Sequence, residues 1–489
     1  MGARTLTPIA VLLARSLVMN DPRRKTFRPW QPQLYSQLAH TPAAKLPEDD
    51  LVFFLLDLVP HLDLRKFYAP YEDETRGAPP FDPALMVCLL LYSYCLGVRS
   101  SRKIALACER NLAFLAIVGS DRPDFRTLSD FRKLHLEAFI DTFTDVLRLA
   151  RAAGLIQLGV LATDGTKMVG NASRHKAMSY GYMTKEVERL RAEIAALVQQ
   201  AQDTDAAEDA VLGSRRGDEL PAELARREHR LATIQAARQR LEAAARTEAE
   251  AERQRRAEAE AERQRTGRKR RGREPGPIDD TPDPKAQTNF TDPDLHIMKT
   301  NNKGWDYCGN AQAVVDGERQ IILACDVVPD SNDKRQAVPL ARQALANLDR
   351  AGIARPVDAR GQAVAIPNLL DSGYYSEAAA QGLADLDLDP HMATGRQRHH
   401  EVLATPAPVT AGATAKEEMA AKLRTAGGRA LYALRKTIVE PVFGQIKGAR
   451  GIRRFLLRGL AKVRGEWRLI CLTHNLLKLW RYRCAPSGT

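Results

Sequence analysis

Aromatic residues and cysteines are both scarce in this sequence. Phe, Trp and Tyr make up 6% of the 489 residues, and the seven cysteines include no Cys-x-x-Cys pair. An odd number of cysteines, most of them inside apolar runs, excludes a disulfide framework and favours a reduced cytosolic compartment. Because paired cysteines are the usual scaffold of structural zinc sites, we expect no zinc site either.

Long hydrophobic runs are also missing. The apolar stretch from Leu6 to Met19 is interrupted by Arg15 and has no small-residue cleavage site of the signal-peptide type. It also falls well short of the roughly 20 residues that span a bilayer. The sequence therefore predicts neither a membrane span nor a signal peptide.

Positive charge predominates. Lys and Arg number 73 against 60 Asp and Glu, which gives a net charge of +13 and a pI near 9.4. This balance favours polyanions such as nucleic acid as partners, although a protein that is merely basic would look the same. The hydrophobic fraction of 44% predicts sizeable buried cores. At roughly 100–200 residues per domain, the length predicts about two to four domains.

Apolar residues recur at helical spacing between about Leu51 and Ala150. Thr127, three residues before Asp130, predicts a capping box at the start of one helix. Several short helices rich in Arg and Lys would suit a helix-turn-helix-like DNA reader, but a helical bundle with an ordinary solvated face explains the pattern as well. The basic residues concerned are Arg99, Arg102, Lys103, Arg126, Arg132 and Lys133.

A second region alternates strands and helices. The apolar run Leu158–Thr163 predicts a strand that ends at Asp164, because Asp164-Gly165-Thr166 has turn chemistry. Asp316-Gly317 predicts a β-hairpin. The other predicted elements are strands at Ala311–Val315, Ile321–Val328, Asn368–Leu370 and Pro390–Thr394, and helices at Gln336–Leu348, Glu377–Leu383 and from Leu431 onward.

The composition changes between the first two of these strands. Residues 185 to about 273 are crowded with Glu, Arg, Ala and Gln, and a partial a/d alternation predicts an antiparallel helical hairpin. The segment Glu248–Arg255 is repeated at Glu258–Arg265, which predicts a helical spacer. The basic run Arg268–Arg271 is interpreted as solvated charge, with phosphate contact as the alternative. The a/d positions are Val187, Leu190, Ile194, Leu197, Leu224, Leu231, Ile234 and Leu241.

Three acids are candidates for phosphodiester chemistry. Two Mg²⁺ ions can activate an oxygen nucleophile and stabilise a leaving oxygen, and magnesium prefers carboxylates together with water and phosphate oxygens. Asp164 and Asp371 follow apolar strand-like runs, and Glu440 lies in a helical run. Spacing alone is weak support, since any three of 60 acids could be chosen. The rivals for the second acid are Asp326, Asp330 and Asp333. Of these, Asp333 fits better as the N-cap of the next helix.

At these positions the sequence resembles the DDE transposases of bacterial insertion sequences, in particular the group with a Tyr, Arg, Glu, Lys pattern around the third acid. The segments that carry the resemblance are Asp164–Lys167, Asn171–Ser173, Asn289–Pro293, Asp371–Tyr374, Ala393–Gln397, Val439–Gly444 and His474–Lys478. The resemblance implies an RNase H-like fold with two divalent metal ions, Mg²⁺ or in its place Mn²⁺, on Asp164, Asp371 and Glu440. It also implies cleavage at element ends and joining to target DNA, in the bacterial cytoplasm at the nucleoid.

Helical geometry orders the basic residues around the third acid. At about 100° per residue, Lys447 lies about 20° and Lys436 about 40° from the direction of Glu440. Arg435 would lie about 140° away on the same geometry. Lys447 is therefore expected to position a phosphate, and Lys436 to fill the place where the family usually has Arg. Tyr432 stands one residue earlier than the family's usual spacing to Glu, so it departs from the pattern.

Other residues around this motif are candidates for DNA contact. We expect Arg396 to bind a phosphate group of the DNA. The basic stretch after the acid-bearing helix is expected to contact the DNA end, with a plain basic surface around core aromatics as the alternative. Its members are Arg450, Arg453, Arg454, Arg458, Lys462 and Arg464. Tyr432 or Trp467 could stack on a flipped base.

The remaining motif residues have simpler interpretations. Pro441 has no N–H and is expected to begin or kink a helix beside Glu440. His399-His400-Glu401 fits a polar loop better than a metal cluster, because adjacent side chains diverge. His474, at helix-seam spacing, fits a packed or hydrogen-bonded residue.

These observations predict an α+β multidomain protein, with an N-terminal all-α domain and an RNase H-like mixed α/β catalytic core interrupted by a long helical hairpin. The predicted domains are an N-terminal extension at 1–30, a helical DNA-end-binding domain at 31–150, a catalytic domain at 151–184 and 286–480, and a coiled-coil-like insertion and linker at 185–285.

The predicted function is that of a transposase, a metal-dependent DNA endonuclease and strand transferase. Its expected partners are double-stranded DNA, as terminal inverted repeats and as target, and further copies of the chain in a homodimer or higher homo-oligomer. The alternative is a catalytically silent DNA-binding repressor derived from a transposase. A structural coiled-coil protein, suggested by residues 185–265, is disfavoured by the strand-rich regions.

Overall fold

The computed structural model describes residues 27–28, 30, 42–72, 77–212, 222–267, 275–300, 304–395 and 413–485. The chain divides into two compact units, one formed by Met1–Asn171 with Cys308–Thr489 and the other by Ala172–Tyr307. The predicted mixture of α and β structure is confirmed, whereas the exact domain boundaries stay predictions.

Helices and strands are numbered in chain order within those ranges. The helices are α1 Leu51–Leu58, α2 Arg65–Tyr68, α3 Pro83–Cys95, α4 Ser101–Arg110, α5 Leu112–Val118, α6 Phe125–Leu134, α7 Phe139–Ala152, α8 Tyr180–Leu212, α9 Ala222–Thr266, α10 Ala337–Arg350, α11 Glu377–Ala384, α12 Ala415–Arg424, α13 Ala426–Gly444 and α14 Leu460–Cys484. The strands are β1 Leu161–Val169, β2 Ala177–Ser179, β3 Gln287–Asn289, β4 His296–Lys299, β5 Trp305–Asp316, β6 Ile322–Val328, β7 Ile366–Leu370 and β8 Leu388–Met392. No helix in the described ranges has both the length and the apolar content to cross a bilayer.

In the first unit, α3 is buried along its whole length, packed against the N-terminal helices α1, α2, α5 and α6 and against the C-terminal helix α14. A helix that is apolar on all sides is stable only when other elements cover it completely. Asp82 caps α3 by accepting a hydrogen bond from the Ala84 N–H, and Pro83 follows at the first helical position. The predicted capping box at Thr127 is wrong, because α6 begins earlier and Asp124 caps it through the Arg126 and Thr127 N–H groups.

Two of the basic residues assigned to a DNA-facing surface are buried instead. Arg99 forms an ion pair with Glu466 of α14, with 2.6 Å between Nη1 and Oε1. Arg132 donates to the Arg99 backbone oxygen at 2.7 Å. These two arginines therefore stabilise the core of the first unit, whereas Arg102 and Arg126 lie against the ring of the exposed Phe125.

The sheet of the first unit has the strand order β6-β5-β1-β7-β8. β1 is antiparallel to β5 and parallel to β7, and β7 is parallel to β8. The hairpin predicted at Asp316-Gly317 is confirmed, since β5 and β6 pair antiparallel on either side of it. The predicted helices now numbered α10 and α11 are also confirmed.

The first strand differs from its prediction. β1 continues through Asp164 to Val169, so Asp164 lies inside a strand and not at its end. Gly165 acts here as a point of close approach, because an added Cβ would lie 2.3 Å from Gln312 Nε2 on β5. Glycine thus admits the neighbouring side chain without ending the strand.

In the second unit, α8 and α9 pack against each other. Their ion pairs run in opposite directions along the two helices, Glu186 with Arg230 and Glu193 with Arg227, which defines an antiparallel arrangement. The small apolar core between them consists of Met183, Val187, Leu190, Ile234 and Ala237.

Candidate active site

Asp164 lies in a polar cluster on β1 and has two partners. Arg435 of α13 donates from Nη1 to Oδ2 at 2.9 Å, and the Gly165 N–H donates to Oδ1 at 2.8 Å. Burial raises the pKa of Asp164 to about 6; Arg435 lowers it, and the negative charges of Asp371 and Asp333 raise it. Asp164 is therefore a carboxylate crowded by other acids and partly neutralised by one guanidinium.

Asp371 is brought to Asp164 by strand register. Thr163 of β1 is paired with Leu370 of β7 in the parallel ladder, so the next residues along the two strands are Asp164 and Asp371. Neighbouring strands lie about 4.8 Å apart. The Gly373 N–H donates to Asp371 Oδ1 at 2.8 Å and holds the carboxylate against its own turn.

Asp333 is a third acid at this place. Its Oδ1 accepts hydrogen bonds from Asn310 Nδ2 and Gln312 Nε2, each at 2.7 Å. The expectation that Asp333 caps the following helix is wrong, because α10 begins at Ala337 with Gln336 at its N-cap. Of the other two rivals, Asp326 pairs with Arg464 at 2.9 Å and Asp330 is exposed.

Glu440 is exposed on α13, and its charge acts on Arg435, the residue that pairs with Asp164. Burial lowers the pKa of Arg435, but Asp164, Tyr432, Asp371 and Glu440 together raise it above its ordinary value. Within the described residues, no group of three or more His, Cys, Asp or Glu side chains is arranged to hold a metal ion. The structure thus brings Asp164 and Asp371 together with Asp333, and leaves Glu440 at the edge of the cluster.

Arg435, which helical geometry had directed away from Glu440, is the residue of α13 that contacts Asp164, whereas Lys436 is exposed. The ranking of Lys436 above Arg435 assumed that the site lies in the direction of Glu440, but the long guanidinium reaches Asp164 from the side. Tyr432, one turn earlier, hydrogen-bonds Arg435; burial raises the pKa of its phenol, and so do Asp371 and Asp164. Pro441 lies inside α13 and does not begin it.

Lys447 lies in a π-helical segment, Gln445–Ala449, that follows α13 directly. Its Nζ donates to Thr166 Oγ1 and, at 3.0 Å, to the Lys167 backbone oxygen, so it contacts β1 just beyond Asp164. Burial lowers the pKa of this ammonium group. Single π turns are frequent at functional sites, and this one turns Lys447 towards β1.

An exposed group of arginines borders the end of β1. Arg453 donates to the Lys447 backbone oxygen at 3.1 Å, Arg454 to Gly170 at 3.3 Å and Arg458 to Asn171 at 3.0 Å. Each contact uses one part of a guanidinium and leaves the exposed side chain available for an anion.

Other residues of the same stretch belong to the core. Arg450 is buried and donates to the Tyr94 and Ile470 backbone oxygens at 2.7 and 3.0 Å. Trp467 is fully buried, with Nε1 bonded to the Gln312 backbone oxygen at 2.9 Å. The hypothesis that Trp467 stacks on a flipped base is therefore wrong. His474 is packed as predicted, with Nε2 3.0 Å from the Gln320 backbone oxygen.

Three motifs from the sequence lie outside the described residues. They are Arg396, the His399-His400-Glu401 group and the basic run Arg268–Arg271.

Two transposase family models match separate parts of the chain. The family described as "Transposase domain (DUF772)" matches residues 40–134, and the family described as "Transposase DDE domain" matches residues 396–480. The first match covers α1 to α6, and the second covers α12, α13 and most of α14, including Arg435, Glu440 and Lys447. The two matches confirm the resemblance to a DDE transposase of insertion-sequence type. No curated protein and no solved structure matches the chain significantly.

Proposed function

We propose that this transposase binds the terminal inverted repeats of an insertion sequence, hydrolyses phosphodiester bonds at the element ends and transfers the strands to target DNA. The observation that carries the proposal is the register of β1 and β7, which makes Asp164 and Asp371 neighbours beside a helix that belongs to the matched DDE domain. Carboxylate oxygens are the ligands that divalent ions such as Mg²⁺ prefer, and such ions assist phosphoryl transfer.

The catalytic core is proposed to be RNase H-like, with the segment between β1 and β5 inserted into it. Support comes from the order β6-β5-β1-β7-β8, in which β5 alone among the central strands opposes the direction of its neighbours. In sequence, the α8–α9 pair lies in the segment between β1 and β5. That position allows the hairpin to vary without disturbing the strands that carry Asp164 and Asp371.

The donor chemistry of the acids fits a divalent ion such as Mg²⁺ or Mn²⁺, because hard cations prefer carboxylate oxygens. Asp164 and Asp371 would hold the metal, with Glu440 as the third acid after a rearrangement of the Arg435 contact. When bound, a pair of such ions supplies an activated oxygen nucleophile and stabilises the leaving oxygen. Burial, and after it the charges of Asp371 and Asp333, raise the pKa of Asp164, and a bound cation would favour the ionised carboxylate.

DNA would approach along the basic side chains. Lys447 is held beside Asp164 and would position a phosphate near the acids, with Tyr432, Lys436 and Arg396 as further contacts. The exposed group Arg453, Arg454 and Arg458 would bind the backbone of the element end. Because two ends must be joined, the working form is proposed to be a homodimer or higher homo-oligomer.

The test is cleavage of a labelled duplex that carries the element's own terminal repeat, in Mg²⁺ or Mn²⁺. The native protein is compared with Asp164→Asn, Asp371→Asn and Glu440→Gln, and DNA binding is measured in parallel. Cleavage at the repeat boundary that each substitution abolishes while binding survives supports the proposal. Binding without cleavage by the native protein supports the alternative, a silent repressor derived from a transposase.

A further inference from the structure

Polar side chains from three separated parts of the chain form one buried network beside the acids. Asn310 and Gln312 of β5 are 2% and 0% exposed, and Tyr374, in the turn after Asp371, is 0% exposed. Gln312 donates from Nε2 to Asp333 and accepts the hydroxyl of Tyr374 at Oε1. We propose that Asp333 is a positioning residue, which fixes the turn that carries Asp371 by acting through Gln312 and Tyr374.

The direction of every bond in this network is set by Asp333. A carboxylate only accepts hydrogen bonds, so the NH₂ groups of both amides must face it. This orientation leaves the Gln312 carbonyl oxygen free to accept the Tyr374 hydroxyl. Without the carboxylate, the Gln312 amide could rotate, and the buried hydroxyl of Tyr374 would meet a donor and not an acceptor.

The network borders both acids of the site. A Cβ at Gly373 would lie 3.0 Å from Asp371 Oδ1 and 3.5 Å from Asp333 Oδ2, so both carboxylates approach the same point. On the other side, Gln312 packs against Gly165, whose N–H holds Asp164. Asp333 therefore stabilises the positions of Asp164 on β1 and Asp371 after β7, and its effect on the reaction is indirect.

The inference rests on the proposed function only for its catalytic consequence. Removal of residues that orient metal-binding side chains typically costs 10–100-fold in metal affinity or activity. We expect Asp333→Ala to lower both Mn²⁺ affinity, read from the loss of the free Mn²⁺ EPR signal, and the rate of end cleavage by that factor. Asp333→Asn keeps one oxygen acceptor for the two amides and should restore both quantities to within about threefold of the native protein.

The matched control is Asp349→Ala, which removes an exposed acid at the end of α10, the helix that follows Asp333. The proposal is overturned if Asp333→Ala binds Mn²⁺ and cleaves DNA as the control does. It is also overturned if Asp333→Asn loses as much Mn²⁺ affinity and cleavage rate as Asp333→Ala, because the negative charge itself, and not the hydrogen bonds that Asp333 accepts, would then be required.

A second measurement separates failure of this inference from failure of the proposed function. Urea unfolding midpoints are compared for Asp333→Ala, Tyr374→Phe and the double variant in metal-free buffer, without DNA. If Asp333 acts through Gln312 on Tyr374, the double variant unfolds at nearly the same midpoint as the more affected single variant. Additive shifts overturn the inference even where the native protein cleaves DNA, and a shared effect supports it even where the native protein does not.

Discussion

The Arg435 guanidinium stabilises a carboxylate that is largely removed from water. The Arg435 and Asp164 side chains are 13% and 18% exposed, and burial and acidic neighbours both oppose the ionised form of the acid. In the absence of a divalent metal, the ion pair is the main source of compensating charge. Loss of either partner alone leaves an unpaired charge, which costs more than loss of both.

We expect Arg435→Met to lower the free energy of unfolding by roughly 1–3 kcal/mol in metal-free buffer, because Asp164 loses its hydrogen-bond donor. Combined with Asp164→Asn, the same substitution should cost much less, because no carboxylate is left uncompensated. Urea unfolding of the two single variants and the double variant measures this difference. Equal losses in the presence and absence of Asp164→Asn would mean that the ion pair does not stabilise the fold.

His135 gives the fold a predicted sensitivity to acid. It is 1% exposed, its ring centroid lies 4.2 Å from that of Phe131, and burial lowers its pKa to about 4. In the unfolded chain a histidine titrates near pH 6.5, so between about pH 6.5 and 4 the unfolded state binds the extra proton. The free energy of unfolding therefore falls as the pH falls through this window.

We expect His135→Phe to remove roughly 2–3 kcal/mol of the loss in unfolding free energy between pH 7 and pH 4. Phenylalanine fits the site, because the neighbours are aromatic and His135 Nε2 has no hydrogen-bond partner among the described residues. Chemical denaturation at a series of pH values provides the measurement, with His61→Phe, outside this aromatic cluster, as the control. An unchanged pH slope in His135→Phe would assign the acid sensitivity to other groups.

Among the elements, α14 is fixed to its surroundings by Glu466. This residue is fully buried and accepts hydrogen bonds from Arg99 and from the Leu456 and Leu457 N–H groups. It thereby connects the region of the N-terminal helices to the segment that leads from Arg454 to Arg458. The carboxylate thereby accepts hydrogen bonds from three donor groups, which offset the cost of removing it from water.

Glu466→Ala should lower the free energy of unfolding by about 3–5 kcal/mol, because it leaves the Arg99 charge and two N–H groups buried without partners. The control is Glu137→Ala, since Glu137 is 81% exposed and lies 4.0 Å from Arg468. A surface pair of this kind contributes at most about 1 kcal/mol. Comparable unfolding midpoints for the two variants would contradict the structural role of Glu466.

The α8–α9 hairpin has a core of its own, so its stability can be tested separately. Leu190 is 1% exposed in that core, and truncation of a buried leucine to alanine typically costs 2–5 kcal/mol. We expect Leu190→Ala to speed amide hydrogen exchange throughout α8 and α9 while peptides from α3 keep their protection. Val198→Ala, at a position that is 36% exposed, is the control. Equal acceleration in α3 would show that the two units unfold together.

At the scale of the whole molecule, the sequence predicted most elements because their signals are local. Asp316-Gly317 predicted its hairpin, and apolar periodicity predicted α10 and α11 within a few residues. Asp164 was placed at a strand end because the side chain that needs the space at Gly165 is Gln312, far along the chain on β5. A glycine such as Gly165 is favoured both in a turn and where a neighbouring side chain approaches the backbone closely. Only the position of that neighbour, Gln312, distinguishes the two cases.

The candidate site was predictable in its acids but not in its contacts. Asp164 and Asp371 follow from motifs, whereas the contact of Arg435 with Asp164 depends on the reach of a side chain between two elements. Asp333 looked like a helix cap because the amides that bind it lie on a strand more distant in sequence than the helix. Charge counting likewise does not distinguish buried arginines such as Arg99 and Arg450 from exposed ones such as Arg458.

The distinction between buried and exposed arginines determines how DNA binding should depend on salt concentration. The net charge of +13 sets the attraction of the whole molecule for a polyanion, but each exposed cation that neutralises a phosphate adds about 0.9 to the slope of log K against log salt concentration. Arg458→Gln should weaken binding to all duplexes about equally and lower the slope by about 1. Fluorescence anisotropy of a labelled terminal repeat between roughly 50 and 200 mM salt measures this slope.

The control is Arg483→Gln, which removes the same charge. The Arg483 guanidinium is bonded to Asp57 at 3.1 Å, so the slope should stay that of the native protein. If both variants lower the slope equally, binding depends on net charge alone; if neither does, the group formed by Arg453, Arg454 and Arg458 does not face the DNA.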